Sequence, residues 1–216
     1  MKTGIIFDLD GTLLDSLGDL HRCVNYILRQ YGCPERSMEE IRQFVGNGAR
    51  QLIRLSLPGR EDDPPLEEVL EVYQTYYNAT CNEGTTCAYP GILEALAAIR
   101  EKYPVAVVSN KPDEAVRTLC RDFFGDVYAR GVTEDCPRKP QPDMVYRAME
   151  AIGVDRCIYV GDSEVDVATA NNTGVPCLTV LWGFRDKEDL VKVGAEHFCE
   201  KTEDLVEAIE ELIEKM

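Results

Sequence analysis

The chain has 216 residues, 44% of them hydrophobic and 29% charged, with 39 Asp and Glu against 23 Lys and Arg. That composition excludes disordered and fibrous classes, and the length suits one domain with an insertion, or two small domains, around a real core. The net charge of −16 argues against nucleic acid or an anionic membrane surface as partner, and no apolar run approaches the roughly 18–20 residues that a membrane span needs.

Residues 5–7, Ile-Ile-Phe, form a short apolar run ending at Asp8, the pattern of a buried strand that leads into a loop. From about residue 16 the period becomes helical. Leu17, Leu20, Val24, Ile27, Leu28 and Tyr31 share one helix face, and Gly32 stops it. Residues 38–45 and 50–57 predict two shorter helices around the turn Gly46-Asn47-Gly48. After a loop over 59–65, Leu66, Val69, Leu70, Tyr73, Tyr76 and Tyr77 repeat the helical pattern, and the tyrosines read as interior packing. Beyond residue 86, helices and strands alternate. A helix is expected over 92–102, a strand over 105–108, and a helix over 112–124 with Pro112 in its first turn. A helix over 143–152 stops at Gly153, a strand covers 157–160, and a helix over 163–173 stops at Gly174. A strand over 175–181 and an acidic amphipathic helix over 203–215 complete the pattern.

Short apolar strands alternating with helices imply an α/β fold, a Rossmann-like parallel sheet core with helices on both faces. The helical stretch placed directly after the first strand predicts an inserted α-helical cap domain over a sheet edge. The expected boundaries are 16–86 for the cap and 1–15 with 87–216 for the core.

The nine cysteines form no CxxC pair, and the N-terminus lacks the apolar stretch of a signal peptide. Reduced thiols in a cytoplasm are the expectation. Only two histidines, His21 and His197, are present, too few for a multi-histidine metal site, so the chemistry must run on carboxylates. The sharpest feature is Asp8-Leu9-Asp10-Gly11-Thr12-Leu13, at the carboxyl end of the first strand, where open α/β sheets bind ligands. Carboxylates at i and i+2 on an extended segment point the same way. Such a pair suits one anionic nucleophile and one proton-carrying acid, with a divalent metal nearby. Ser109-Asn110 ends the second strand, Lys139-Pro140 follows a turn-rich loop, and Gly161-Asp162-Ser163-Glu164-Val165-Asp166 ends the third strand. Singly, Ser109 reads as a helix cap, Lys139 as surface charge, and Asp162 and Asp166 as a cap and a solvated helix face. Together, in that order, they read as a site.

This ordered set resembles the haloacid dehalogenase superfamily of phosphotransferases, over essentially the whole chain. The resemblance implies that Asp8 is the nucleophile that becomes an aspartyl phosphate, and that Asp10 is the general acid and then the base. It implies that Ser109, Asn110 and Lys139 bind the substrate phosphate. Mg²⁺ would be held by the Asp8 carboxylate, the Asp10 main-chain carbonyl and Asp162, with Asp166 and Thr12 behind them, Asp166 through water or toward Lys139. A dianionic phosphate beside Asp8, Asp162 and Asp166 gathers about five negative charges, and Lys139 cancels only one, which is why a divalent cation is needed.

Within the superfamily, Asp10 sets the chain apart from dehalogenases and phosphonatases. Leu20 stands where β-phosphoglucomutases carry His, and GDS replaces their EDS. What remains resembles the phosphoglycolate phosphatase subfamily, on Phe44-Val45-Gly46-Asn47-Gly48-Ala49-Arg50, Ser109-Asn110-Lys111-Pro112 and Leu181-Trp182-Gly183-Phe184. The turn at Gly46, Asn47 and Gly48 could offer N–H groups to a substrate carboxylate with Arg50 as clamp; a plain helix–helix turn and a surface charge are the alternatives. Trp182 reads as packing, and His197 receives no role. The expected function is Mg²⁺-dependent hydrolysis of a small phosphorylated metabolite, 2-phosphoglycolate first. Pyrophosphate, a nucleotide or a sugar phosphate are the alternatives, and a mutase or a non-catalytic phospho-ligand sensor is less favoured. A cytoplasmic monomer or homodimer, with no nucleic-acid or membrane partner, is expected.

Overall fold

The computed structural model describes residues 1–57, 65–81 and 84–216. The first strand, β1 (Thr3–Phe7), is followed by a two-residue strand β2 (Leu14–Asp15) and four helices: α1 (Leu17–Gln30), α2 (Met38–Phe44), α3 (Gly48–Ser56) and α4 (Leu66–Thr80). A second two-residue strand, β3 (Cys87–Ala88), leads into α5 (Ile92–Lys102), β4 (Val105–Pro112), α6 (Asp113–Phe124), β5 (Tyr128–Val132) and α7 (Asp143–Ile152). The chain ends with β6 (Arg156–Gly161), α8 (Glu164–Thr173), β7 (Cys177–Val180), α9 (Lys187–Lys192), β8 (His197–Cys199) and α10 (Leu205–Glu214).

Among the described residues six strands form one sheet in the order β5-β4-β1-β6-β7-β8, and every neighbouring pair runs parallel. The central strands alternate between two apolar layers, as the two-residue period of a strand requires. Ile5, Phe7, Val105, Val107, Ile158 and Val160 pack with α5, α6 and α10. Ile6, Ala106, Val108, Cys157 and Tyr159 pack with Met144, Val145 and Ala148 of α7 and Ala170 of α8. Helices therefore cover both faces of a parallel sheet. Gly153 and Gly174 end α7 and α8 in the left-handed conformation that glycine adopts without strain. No helix among the described residues is long and apolar enough to cross a membrane.

The insertion after β1 is helical as expected, but its interior is continuous with one layer of the sheet. Leu20, Val24 and Ile27 of α1, Leu52 of α3, and Val69 and Tyr73 of α4 belong to the same apolar cluster as Phe7. The two chain crossings between sheet and insertion run side by side as an antiparallel ladder, Leu14 opposite Ala88 and Asp15 opposite Cys87. Asp19, fully buried, fastens that junction. It accepts hydrogen bonds from the Thr85 and Thr86 N–H groups at 3.2 and 2.8 Å, from the Thr86 hydroxyl at 2.5 Å and from Arg22 at 3.1 Å. Asp19→Ala would strand those donors, and a loss of about 3 kcal/mol in unfolding free energy is expected from denaturant titration.

Several elements differ from the sequence expectation. The strand expected over 105–108 runs on to Pro112, so Pro112 caps α6 instead of sitting in its first turn. The extension carries Ser109, Asn110 and Lys111, polar but buried, and apolar patterning misses it. The outer strands β5 and β8 were not expected: β5 contains Arg130-Gly131, and β8 begins at His197. The six-residue helix α9 and the β2–β3 ladder are too short for periodicity to register. The strand expected over 175–181 narrows to Cys177–Val180, and α3 starts at Gly48, two residues earlier than expected. The loop expected over 59–65 lies outside the described residues except for Pro65, which caps α4.

Candidate active site

Three neighbouring strands deliver the polar residues to one edge of the sheet. β1 ends at Asp8 and Asp10, β4 carries Ser109, Asn110 and Lys111, and β6 leads to Asp162 with Asp166 in the first turn of α8. Lys139 comes from the loop before α7. Most of these residues line one cavity of about 50 Å³, whose far wall is Leu20, Val45 and Leu52 of the helical insertion with Tyr73 and Tyr77 of α4.

Lys139 is the hub. Its ammonium, 2% exposed, donates to Asp8 Oδ1 at 2.7 Å, to Asp166 Oδ1 at 2.8 Å and to the Tyr159 hydroxyl at 2.9 Å. Burial acts to discharge it, but the Asp166 and Asp8 carboxylates outweigh that and hold its pKa above the usual lysine value. Asp166 also accepts from Tyr159 at 3.1 Å and from the Ser163 N–H and hydroxyl at 3.1 and 2.6 Å. Both of its oxygens are thus occupied. It closes the capping box of α8 with Ser163 and sits toward Lys139, and at 1% exposure it is no solvated helix face.

Asp8 and Asp162 have less support. Burial, with the Asp166 and Asp10 charges adding to it, pushes Asp8 up to about 7 despite Lys139. Burial and the Asp166 and Asp8 charges push Asp162 well up too. Asp162 accepts from the Phe184 N–H at 2.7 Å and the Thr12 hydroxyl at 3.3 Å. It fits between Gly11 and Gly183, where a Cβ on either would overlap its carboxylate. Oxygens of Asp8, Asp162 and Asp166 lie within 4.8 Å of one another. One ammonium among three buried carboxylates leaves a net negative cluster of hard oxygen donors, and these residues fit a divalent cation such as Mg²⁺.

Some of the remaining residues fall as the sequence reading has them and some do not. Ser109 lines the cavity and is 2% exposed. Asn110 also lines the cavity, with its side-chain Nδ2 donating to the carbonyls of Gly46 at 3.1 Å and Lys139 at 2.9 Å and so tying the insertion to the sheet. Gly46 accordingly contributes a carbonyl. The Asn47 carbonyl accepts from Arg138 at 3.2 Å. Arg50 pairs with Glu67 and lines a neighbouring cleft with Arg138, because an exposed guanidinium takes the nearest carboxylate. Arg50 is not among the residues that line the main cavity, so the clamp expected of it is not in place there, whereas Gly46 and Gly48 of the turn do line that cavity. Tyr76 stacks on Tyr26 as packing, whereas Tyr73 and Tyr77 also face the cavity. Trp182 packs against the core and donates to the Thr12 carbonyl at 3.0 Å.

Sequence reasoning gave no role to Lys111, Phe184 or Arg185. Lys111 pairs with Asp10 at 3.1 Å, and Ser16 donates to the same Asp10 oxygen. Arg185 pairs with Glu164 at 2.7 Å and donates to the carbonyls of Arg42 and Val45 at 2.8 and 2.6 Å, spanning from α8 to the end of α2. Lys111 was visible inside the Ser-Asn-Lys-Pro string. The partners of Arg185 lie far away in sequence, and no local signal marks them.

The parallel sheet with acidic residues at its strand ends defines the class: the chain belongs to the haloacid dehalogenase-like hydrolase family, whose sequence model matches residues 5–180. Among curated relatives it is 36% identical over 191 residues to the phosphoglycolate phosphatase of Rhodobacter capsulatus, covering 86% of this chain and 87% of that one. It is 34% identical to the phosphoglycolate phosphatase of Pseudomonas putida, covering 83% and 70%. A crystal structure from Lactobacillus delbrueckii subsp. bulgaricus superposes with a TM-score of 0.88 at 35% identity, covering 97% of this chain and 99% of that one.

Proposed function

We propose that the protein is a Mg²⁺-dependent phosphatase of small phosphomonoesters, with 2-phosphoglycolate as substrate. The observation that carries the reading is the meeting of Asp8, Asp10, Lys139 and Asp162 in one cavity beneath the helical insertion. In this reading Asp8 attacks phosphorus and becomes an aspartyl phosphate, while Asp10 gives a proton to the departing alkoxide. Asp10 then takes a proton from water as the water attacks phosphorus, releasing inorganic phosphate and restoring the Asp8 carboxylate. Ser109 and Lys139 hold the phosphate oxygens, and Asp166 with Tyr159 fixes Lys139 in place. The Asp8 and Asp162 carboxylates, with the Asp10 main-chain carbonyl, would hold the cation, which supplies charge neutralisation and orientation of the phosphate.

Residues 16–86 act as a cap hinged at the β2–β3 ladder, and closure over the substrate excludes bulk water while the phosphoryl group moves to Asp8. The small cavity with apolar walls favours a compact ester over a nucleotide. Hydrolysis is favoured over mutase chemistry because Leu20 faces the cavity, while His21 is engaged with the Arg36 carbonyl and Asn25. The nine cysteines, with no CxxC pair among them, suit a reducing cytoplasm.

The test is phosphate release from 2-phosphoglycolate, pyrophosphate, a nucleoside monophosphate and a sugar phosphate, with Mg²⁺ and with chelator. Phosphoglycolate is expected to lead by about tenfold or more in kcat/KM, or some 1.4 kcal/mol of transition-state preference. Another compound leading would overturn the substrate, and no release from any of them would overturn the phosphatase.

A further inference from the structure

Lys111 takes no part in the scheme above, yet it lines the same cavity and is 6% exposed. Its ammonium stands 3.1 Å from Asp10 Oδ1, donates to the Tyr77 hydroxyl oxygen and lies 4.4 Å from the centre of the Tyr77 ring. Asp10 follows β1, Lys111 belongs to β4 and Tyr77 to α4, so the charge sits where the sheet meets the insertion. Its neighbour fixes its meaning. A general acid must come within hydrogen-bond reach of the ester oxygen that it protonates, so a cation against Asp10 borders the leaving group.

The other cations facing the cavity are committed elsewhere. Lys139 is held between Asp8 and Asp166, and Arg185 by Glu164 and two carbonyls. Because the Tyr77 oxygen accepts from Lys111, its own hydrogen remains to be donated, and no acceptor for it occurs among the described residues. Burial keeps that phenol protonated. An ammonium and a hydroxyl donor thus stand together beside the position of the ester oxygen.

We propose that Lys111 and Tyr77 form the subsite for a carboxylate carried on the same carbon as the ester oxygen, and so set a preference for 2-phospho acids over neutral alkyl phosphates. The inference rests on the phosphatase reading and replaces Arg50 as the reader of the substrate's second anion. Such a carboxylate is two bonds from the ester oxygen, near enough to meet a donor that already touches Asp10. A charge-assisted pair among buried groups discriminates strongly, because a neutral tail offers the ammonium and the phenol no anion beyond the Asp10 that the ammonium already meets.

The experiment compares kcat/KM for 2-phosphoglycolate and ethyl phosphate, whose tail has the same number of carbons and no charge. It uses the full chain with saturating Mg²⁺, in wild type, Lys111→Met, Lys111→Arg and Tyr77→Phe. In Lys111→Met the ratio of the two kcat/KM values is expected to fall by at least about 30-fold, mainly through KM for phosphoglycolate. Lys111→Arg should recover part of the ratio, and Tyr77→Phe should lower it less. An equal loss on both substrates, seen in kcat, would mean that Lys111 only positions Asp10 and would overturn the subsite. Should Lys111→Met not fold, glycolate and ethanol can be compared as inhibitors of ethyl phosphate hydrolysis by wild type. Glycolate is expected to inhibit at a concentration at least about 30-fold lower, and equal potency overturns the proposal. No turnover of either ester by wild type would overturn the phosphatase reading itself.

Discussion

Asp8→Asn is expected to lower phosphate release by roughly 10⁴-fold or more, since loss of a nucleophile leaves only binding and electrostatic stabilisation. The same variant is expected to keep its fold and, measured in chelator, to melt no lower than wild type. The amide oxygen of Asn can still accept from Lys139, while the buried charge beside Asp166 and Asp10 disappears. That charge is unfavourable in the native state, as the rise of Asp8 to about 7 indicates. Loss of activity together with unchanged or higher stability separates a functional carboxylate from a structural one. A residual rate above about a hundredth of wild type would remove Asp8 from the role of nucleophile.

Removing the metal is the second large effect. Chelation should reduce release by about a hundredfold or more, and it should also make stability depend on pH with a defined sign. Asp8 is raised from 3.8 to about 7 and Asp162 is raised as well, so the native state binds more protons than the unfolded chain between those values. Stability in chelator must therefore fall as pH rises through that window, and the Asp8 share of the penalty is complete above about 7. For Asp8 alone the span corresponds to on the order of 4 kcal/mol. Thermal unfolding from about pH 5 to about pH 8 checks this: Tm should decline in chelator, and added Mg²⁺ should raise Tm most at the alkaline end. Parallel curves with and without Mg²⁺ would mean that the carboxylate cluster is not the binding site.

Much of this molecule could be read in advance, for identifiable reasons. β1, β4 and β6 are covered on both faces, so their apolar runs stand out, and the acids that follow them fall at known strand ends. Asp8, Asp10, Asp162 and Lys139 stand out in the sequence by motif spacing and by order at strand ends and in a loop, and the sheet's topology brings them to one cavity. The side chains of Asn110 and Arg50 show what residue type leaves open. An amide and a guanidinium suit anions in general, but here two carbonyls and Glu67 were nearer. Lys111 went unassigned because its significance depends on Asp10 and on Tyr77, which lies on a helix of the insertion. The outer strands escaped because they carry polar residues such as Arg130 and His197 between their apolar ones, and the pattern then dissolves.

Gly11 and Gly183 flank Asp162 closely enough that a methyl group on either would collide with its carboxylate. Asp162 is therefore placed by hydrogen bonds from Phe184 and Thr12 and, equally, by the hydrogen atoms that stand where side chains would be. A change of one carbon at position 183 deletes no donor, acceptor or charge, yet it displaces the carboxylate from its slot. The protein's capacity to hold a cation is in this sense encoded twice, once as acid and once as room, and the second inscription is carried by residues that have no chemistry of their own.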